Sequence, residues 1–212
     1  MIQPNLKLKT SAVDVIIPAR NEQDTIGEII DAFLLCTMVG NVIVVDDHSE
    51  DNTFNEAKAH NATLVVRGPG KGKGQAVMSG LVFVDTAMVC LCDADLTGFT
   101  TEHAEILMDA MPDTMLIGVP EFTPNLPWAH KATQEQWENV SGERCLPTRL
   151  LYGIDLHGYA MEVQINRVIE SEGLPIVKRN LTGVKGVPKP NSYPRRIQDY
   201  QRDLEWLKEN GL

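Results

Sequence analysis

Ala87-Met88-Val89-Cys90-Leu91-Cys92-Asp93-Ala94-Asp95 is an apolar run that ends abruptly in two acids. A short continuous apolar run of this kind reads as a buried strand. Side chains alternate along an extended segment, so Asp93 and Asp95 should leave the strand tip on the same face. Two carboxylates about 5 Å apart repel by roughly 3 kcal/mol at an effective dielectric of about 20. Something cationic should offset that repulsion. Hard oxygen ligands suit Mg²⁺ or Mn²⁺, and in enzyme sites these ions commonly accompany phosphates. In isolation the pair also fits two polar residues opening a loop, and the rest of the chain has to separate the two readings.

The same punctuation recurs on the N-terminal side. Val13-Asp14-Val15-Ile16-Ile17-Pro18 reads as a buried strand, and Ile26, Ile29, Ile30, Phe33 and Leu34 follow at the spacing of an amphipathic helix. A strand at 41–46, a short helix at 53–60, a strand at 62–66, the glycine-rich loop 68–74 and a helix at 75–84 lead into the strand at 88–92. This alternation predicts an α/β fold with a mainly parallel central sheet and helices on both faces. Right-handed crossovers carry the strand C-termini to one edge, where open α/β sheets bind ligands. Residues 18–22, 46–49, 68–74 and 93–95 should therefore converge. Beyond them the pattern predicts helices at 102–111, 134–140, 161–170 and 197–210, and strands at 115–119 and 174–177. A proline-containing loop is expected at 121–131 and a polar linker at 191–196.

Composition bounds the function. The 212 residues contain 43% hydrophobic and 23% charged side chains, as in an ordinary globular chain with a sizeable core. A net charge of −10 argues against non-specific binding to a nucleic-acid backbone. No apolar stretch approaches the roughly 18 residues of a membrane span, and Met1 to Lys9 lacks an apolar leader core. Cys36, Cys90, Cys92 and Cys145 form no C-x-x-C pair and read as small core residues in a reducing compartment, so a cytoplasmic location is expected. Lys178, Arg179, Lys185, Lys189, Arg195, Arg196 and Arg202 crowd the C-terminal end, as a solvated surface or as a site for an anionic acceptor.

The ordered set Ile16-Ile17-Pro18-Ala19-Arg20-Asn21-Glu22, Val44-Val45-Asp46-Asp47-His48-Ser49-Glu50-Asp51-Asn52-Thr53, Gly70-Lys71-Gly72-Lys73-Gly74 and Asp93-Ala94-Asp95 resembles family 2 glycosyltransferases of the GT-A (Rossmann-like) fold. The resemblance runs from Val13 to about Leu96. It continues through Ser141-Gly142-Glu143-Arg144 and Gly158-Tyr159-Ala160-Met161-Glu162-Val163. These two segments are similar to the branch of polyprenyl-phosphate sugar transferases and glucosyl-phosphoglycerate synthases. It implies a single GT-A domain over 1–212, with 13–96 as the nucleotide-sugar half, 97–190 as the acceptor side, and 191–212 as linker and C-terminal helix. It also implies a metal-dependent enzyme that moves a sugar from a UDP- or GDP-sugar.

The same resemblance suggests roles. Pro18, Arg20 and Glu22 fall where the family contacts the nucleoside, though Asn21 and Glu22 also suit a helix-capping turn. Asp47 is the candidate for the base, and Lys73 lies near the nucleotide. The family carries Gly where His48 stands, which leaves the backbone shape of that loop open. Asp95 is the more direct ligand of Mn²⁺ or Mg²⁺, with Asp93 near the ion or the ribose. His157 is the candidate later ligand, with His130 behind it. Glu162 is the candidate catalytic residue, taking a proton from the acceptor or holding sugar hydroxyls; an acid also simply suits a helix's first turn. Arg144 is a candidate for bidentate phosphate binding or for a surface ion pair.

The glycine-rich loop is not a P-loop, since no Ser or Thr follows Lys73. No Q-x-x-R-W motif is present, so a single transfer is expected. Candidate partners are the nucleotide-sugar donor, a second copy of the chain, and an acceptor that the sequence leaves open: small molecule, lipid phosphate, glycan, protein or modified base. Two other classes share these features. A sugar-phosphate nucleotidyltransferase would carry an early G-x-G-x-R loop where Pro18-Ala19-Arg20-Asn21-Glu22 stands. A non-catalytic nucleotide-sugar-binding protein would bind donor without turning it over.

Overall fold

Apolar side chains at alternate positions bury on opposite faces of one sheet. In β1 (Lys9–Ala19), Val13, Val15, Ile17 and Ala19 pack to one side and Ile16 to the other. Val42 and Val44 of β2 (Val39–Asp46) join the first side, and Ile43 and Val45 the second. The computed structural model describes residues 9–121, 138–156, 158–187 and 205. Among these, α1 (Ile26–Leu35), α2 (Thr53–Ala59) and α4 (Thr101–Met108) contribute Ile29, Phe33, Ala57 and Leu107 to the first layer. α3 (Lys73–Leu81) and α5 (Met161–Ser171) contribute Val77, Leu81, Ile165 and Ile169 to the second.

The remaining strands are β3 (Leu64–Arg67), β4 (Thr86–Leu91), β5 (Leu96–Thr97), β6 (Met115–Pro120), β7 (Arg144–Pro147), β8 (Ile176–Leu181) and β9 (Lys185–Gly186). The central sheet has seven strands in the order β3-β2-β1-β4-β7-β6-β8. The pairings β1·β2, β1·β4, β2·β3 and β6·β8 are parallel, whereas β7 is antiparallel to both β4 and β6. This is the expected α/β architecture with helices on both faces. The short β5 and β9 pair antiparallel outside it.

β7 is the element that sequence periodicity misses. Arg144-Cys145-Leu146-Pro147 contains a charge and a proline, which work against a central strand. It is nevertheless wholly buried. Leu91 pairs with Arg144 and Cys90 with Cys145, so the start of β7 lies at the edge where β4 ends. α3 begins at Lys73 and not at Gln75, and β8 runs on to Leu181. The expectations for 122–137 and for the linker and terminal helix, apart from residue 205, lie outside the described residues. All four cysteines are buried and free. Among the described residues no helix is long and apolar enough to cross a membrane.

A buried carboxylate ties the starts of two strands to β1. Asp14 accepts from the Asn41 backbone N–H at 2.7 Å, from the Asn41 side-chain amide at 3.0 Å, and from the Asp85 N–H at 2.9 Å. Asp14→Ala strips these donors of their acceptor while leaving them inside the fold. The expected result in a urea titration is a loss of about 3 kcal/mol of unfolding free energy, with donor binding by the remaining folded protein unchanged.

Candidate active site

Two glycines set the approach to α3. Gly70 and Gly72 have φ of 69° and 95°, in the region that side chains disfavour. Gly74, one residue into α3, packs so closely on the chain entering α5 that an added Cβ would lie 2.5 Å from the Leu156 carbonyl oxygen. This close approach carries Lys73, on the first turn of α3, towards the first turn of α5. Lys73 Nζ lies 2.7 Å from Glu162 Oε1 and 2.5 Å from Asp93 Oδ1 at the end of β4. The Lys73 side chain is 18% exposed and that of Glu162 only 7%. Burial opposes the ammonium charge, but the two carboxylates outweigh it and hold Lys73 above the usual lysine pKa. The positive charge that the acidic strand tip calls for is therefore supplied, at Asp93, by Lys73.

The antiparallel sense of β7 brings a further acid to the same edge. Gly142 lies directly against Asp93, where a Cβ would meet both carboxylate oxygens at 2.4 and 2.5 Å. The next residue, Glu143, is 2% exposed. Burial, reinforced by the Asp93 charge, pushes its carboxyl up to about 7. Ser141 Oγ sits 2.6 Å from the Gly118 carbonyl and 2.5 Å from Glu143 Oε2. A hydroxyl has one proton, and the carbonyl can only accept. The arrangement closes when protonated Glu143 donates to Ser141 and Ser141 donates to Gly118.

Arg144 does not face a ligand, which corrects the expectation of a phosphate-binding residue. It is fully buried. Its guanidinium donates to the carbonyls of Ser141 at 2.7 Å, Asn139 at 2.8 Å and Glu162 at 3.4 Å, and to Asn166 Oδ1 at 2.5 Å. It clamps the approach to β7 onto α5 and so sets the seat of Gly142 under Asp93.

The loops after β1 and β2 are stitched together beside this cluster. Asn21 N–H donates to Ser49 Oγ at 2.9 Å, and Glu50 N–H donates to Asn21 Oδ1 at 2.8 Å. Glu22 is buried, and its N–H donates to Thr53 Oγ1 at 2.8 Å. His48 adopts φ 62°, so the loop keeps a shape natural to glycine despite its side chain. Its ring lies over Gly70, where a Cβ would stand 2.9 Å from Nδ1. Asp46 is buried, paired with Arg67, and accepts from Ser49 N–H. Asp47 is 4% exposed, and accepts from Gly70 N–H at 2.6 Å and Gly72 N–H at 2.9 Å. In this state Asp47 orders the glycine loop. A cavity of about 640 Å³ opens next to it, lined by Arg20, His48, Ser49, Glu50, Arg67, Pro69 and Gly70. Pro18 is half-buried at the end of β1.

Asp95 is half-buried two residues beyond Asp93, and its carbonyl accepts from Val187 N–H at 2.7 Å. Asp93 and Asp95 offer carboxylate oxygens from one strand end, a donor set that fits a hard divalent cation. Among the described residues no three His, Cys, Asp or Glu side chains form a metal cluster. His157 and His130 lie outside the described residues. Of the described basic residues near the C-terminal end, Lys178 pairs with Glu138 at 3.2 Å and Lys185 with Glu121 at 3.6 Å.

The family model described as Glycosyl transferase family 2 matches residues 14–147. The chain belongs to glycosyl transferase family 2. A curated relative, 4,4'-diaponeurosporenoate glycosyltransferase of Staphylococcus aureus (strain USA300), is 32% identical over 114 residues, 49% of this chain. That match spans only 30% of the relative's own length. Among solved structures, glucosyl-3-phosphoglycerate synthase of Mycobacterium tuberculosis in complex with Mn²⁺ and UDP-glucose superposes with a TM-score of 0.76, at 22% identity over 95% of this chain and 79% of that one. The same protein with Mg²⁺ and UDP gives 0.70, at 24% identity over 86% of this chain and 74% of that one. At these identities the likeness speaks for the GT-A fold.

Glu143 makes stability depend on pH. Its folded-state pKa lies above the ordinary 4.5, so ionising it costs the folded protein and not the unfolded chain. Stability should fall as pH rises from about 4.5 to about 7 and then level, by on the order of 3 kcal/mol. Glu143→Gln keeps a donor for Ser141 and removes the titration. In EDTA, the melting temperature of the wild type should drop relative to Glu143→Gln between about pH 5 and about pH 8. Parallel curves would show that Glu143 does not change protonation there.

Proposed function

We propose that this chain transfers a single sugar from a nucleotide-diphosphate sugar to an acceptor, with Mn²⁺ or Mg²⁺ held by Asp95 together with Asp93. The observation that carries this reading is the meeting of Lys73, Asp93 and Glu162 at the C-terminal edge of the sheet, the edge on which the cavity lined by Arg20, His48 and Gly70 also opens. Family membership and the fold shared with a synthase crystallised with Mn²⁺ and UDP-glucose support it. When bound, the ion supplies positive charge to the diphosphate leaving the sugar.

The chain's own residues divide the remaining work. Pro18, Arg20 and Glu22 frame the nucleoside end, and Arg20 lines the cavity. Asp47 holds the glycine loop closed through two N–H groups. Its carboxylate oxygens keep further lone pairs for a base N–H when the loop yields. Lys73 supplies a cation beside the phosphates. Glu162, buried on the first turn of α5, takes the acceptor's proton or holds sugar hydroxyls in this reading. The relatives' names point to different acceptors, a diaponeurosporenoate and a phosphoglycerate, so the reading commits to no named acceptor.

Incubation with UDP- or GDP-sugars and Mn²⁺ should release nucleoside diphosphate. Pyrophosphate release from a nucleoside triphosphate and a sugar phosphate would move the chain to the nucleotidyltransferases. Tight donor binding without any turnover would leave it a binding protein. Asp95→Ala should abolish Mn²⁺-dependent donor binding in calorimetry while the circular dichroism spectrum stays native, and an unchanged titration would remove Asp95 from the site. Glu162→Gln should lower kcat by about 10²-fold or more with a smaller change in donor affinity; a collapse of donor affinity alone would make Glu162 a sugar clamp.

A further inference from the structure

Lys73 occupies the position that a cation bound to Asp93 would need. Its ammonium lies 2.5 Å from Asp93 Oδ1 and 2.7 Å from Glu162 Oε1, with little of the side chain exposed. Gly142 packs so closely on the Asp93 carboxylate that an added Cβ would meet both its oxygens, while 31% of the Asp93 side chain stays exposed. An ion approaching Asp93 from solvent therefore meets a carboxylate that already carries an ammonium. A carboxylate accepts several partners, but an ammonium at hydrogen-bond distance from Oδ1 repels a divalent ion on the same group and so weakens the ion's hold on Asp93.

We infer that Lys73 is the resident counter-cation of the metal site and competes with the divalent ion for Asp93. This inference rests on the metal-dependent reading of the site given above. The lysine stem has four carbons and ends in a freely rotating ammonium, so the group can leave Asp93 without moving α3. Leaving costs it two carboxylate partners, and the anion available at this edge to replace them is the diphosphate of the donor. Ion and nucleotide diphosphate then help each other to bind: the diphosphate draws Lys73 away, and the ion takes over Asp93. Linkage makes the effect reciprocal. The site resists loading with metal in the absence of nucleotide, because its carboxylates already hold a cation of their own.

The test is a Mn²⁺ titration followed by the electron paramagnetic resonance signal of free Mn²⁺, on wild type, Lys73→Met and Lys73→Gln, each with and without saturating UDP or GDP. Circular dichroism verifies folding, and Lys73→Gln serves where Lys73→Met does not fold. Without nucleotide, the variants should bind Mn²⁺ at least tenfold more tightly than wild type. With nucleotide the gap should narrow or reverse, since Lys73 then works for the complex. Variants that bind Mn²⁺ no better than wild type in the absence of nucleotide would overturn the competition while leaving the metal site standing. No Mn²⁺ binding by wild type even with UDP or GDP present would overturn the metal reading itself.

Discussion

A buried ammonium shared by two carboxylates ties together parts of the chain that are far apart in sequence. Lys73 and Glu162 stand 89 residues apart, yet their side chains meet at 2.7 Å, and the same ammonium reaches Asp93. Neither acid is comfortable out of water without it, and the lysine is not comfortable without them. The arrangement therefore constrains its supports. The turn at Gly70 and Gly72 must aim α3, Gly74 must let α3 touch the chain entering α5, and β4 must end at the level where Asp93 faces both helices. Each is a backbone requirement, and each falls within or beside a segment that the sequence marks with glycine or acid.

The first half of the fold was legible because every strand there is apolar, every helix amphipathic, and every junction punctuated. Ile26, Ile29, Ile30 and Phe33 announce α1, and all four are fully buried. β7 was illegible for the opposite reason: Arg144 and Pro147 both argue against a central strand. Only the structure shows that the arginine is neutralised by a ring of carbonyls and that the strand runs antiparallel. That reversal was also invisible in the alternation, which read only as a mainly parallel sheet.

The site was legible in its membership and less so in its contacts. Asp93, Lys73 and Glu162 were each singled out, but residue types and spacing do not say that the lysine spans both acids. Arg144 read as a phosphate ligand or as one half of a surface ion pair, since a guanidinium suits both. Its burial and its carbonyl partners make it a clamp instead. Glu143 was passed over within the motif that contains it, and its only sequence signal was an acid next to a buried strand. His48 posed the reverse problem. A side chain where glycine is customary suggested a changed loop, yet the backbone stayed at φ 62° because histidine tolerates that region better than branched residues do.

The reversed strand also governs the charge of the site. Parallel strands deliver only their C-terminal ends to the functional edge. An antiparallel β7 delivers its beginning, and with it Gly142 against Asp93 and Glu143 just below. If Glu143 were ionised, the acids around Lys73 would outnumber it three to one. Largely protonated below about pH 7, Glu143 instead acts as a neutral donor to Ser141, and one negative charge fewer faces Lys73. The seat of Glu143 thus belongs to the charge of the site as well as to its packing.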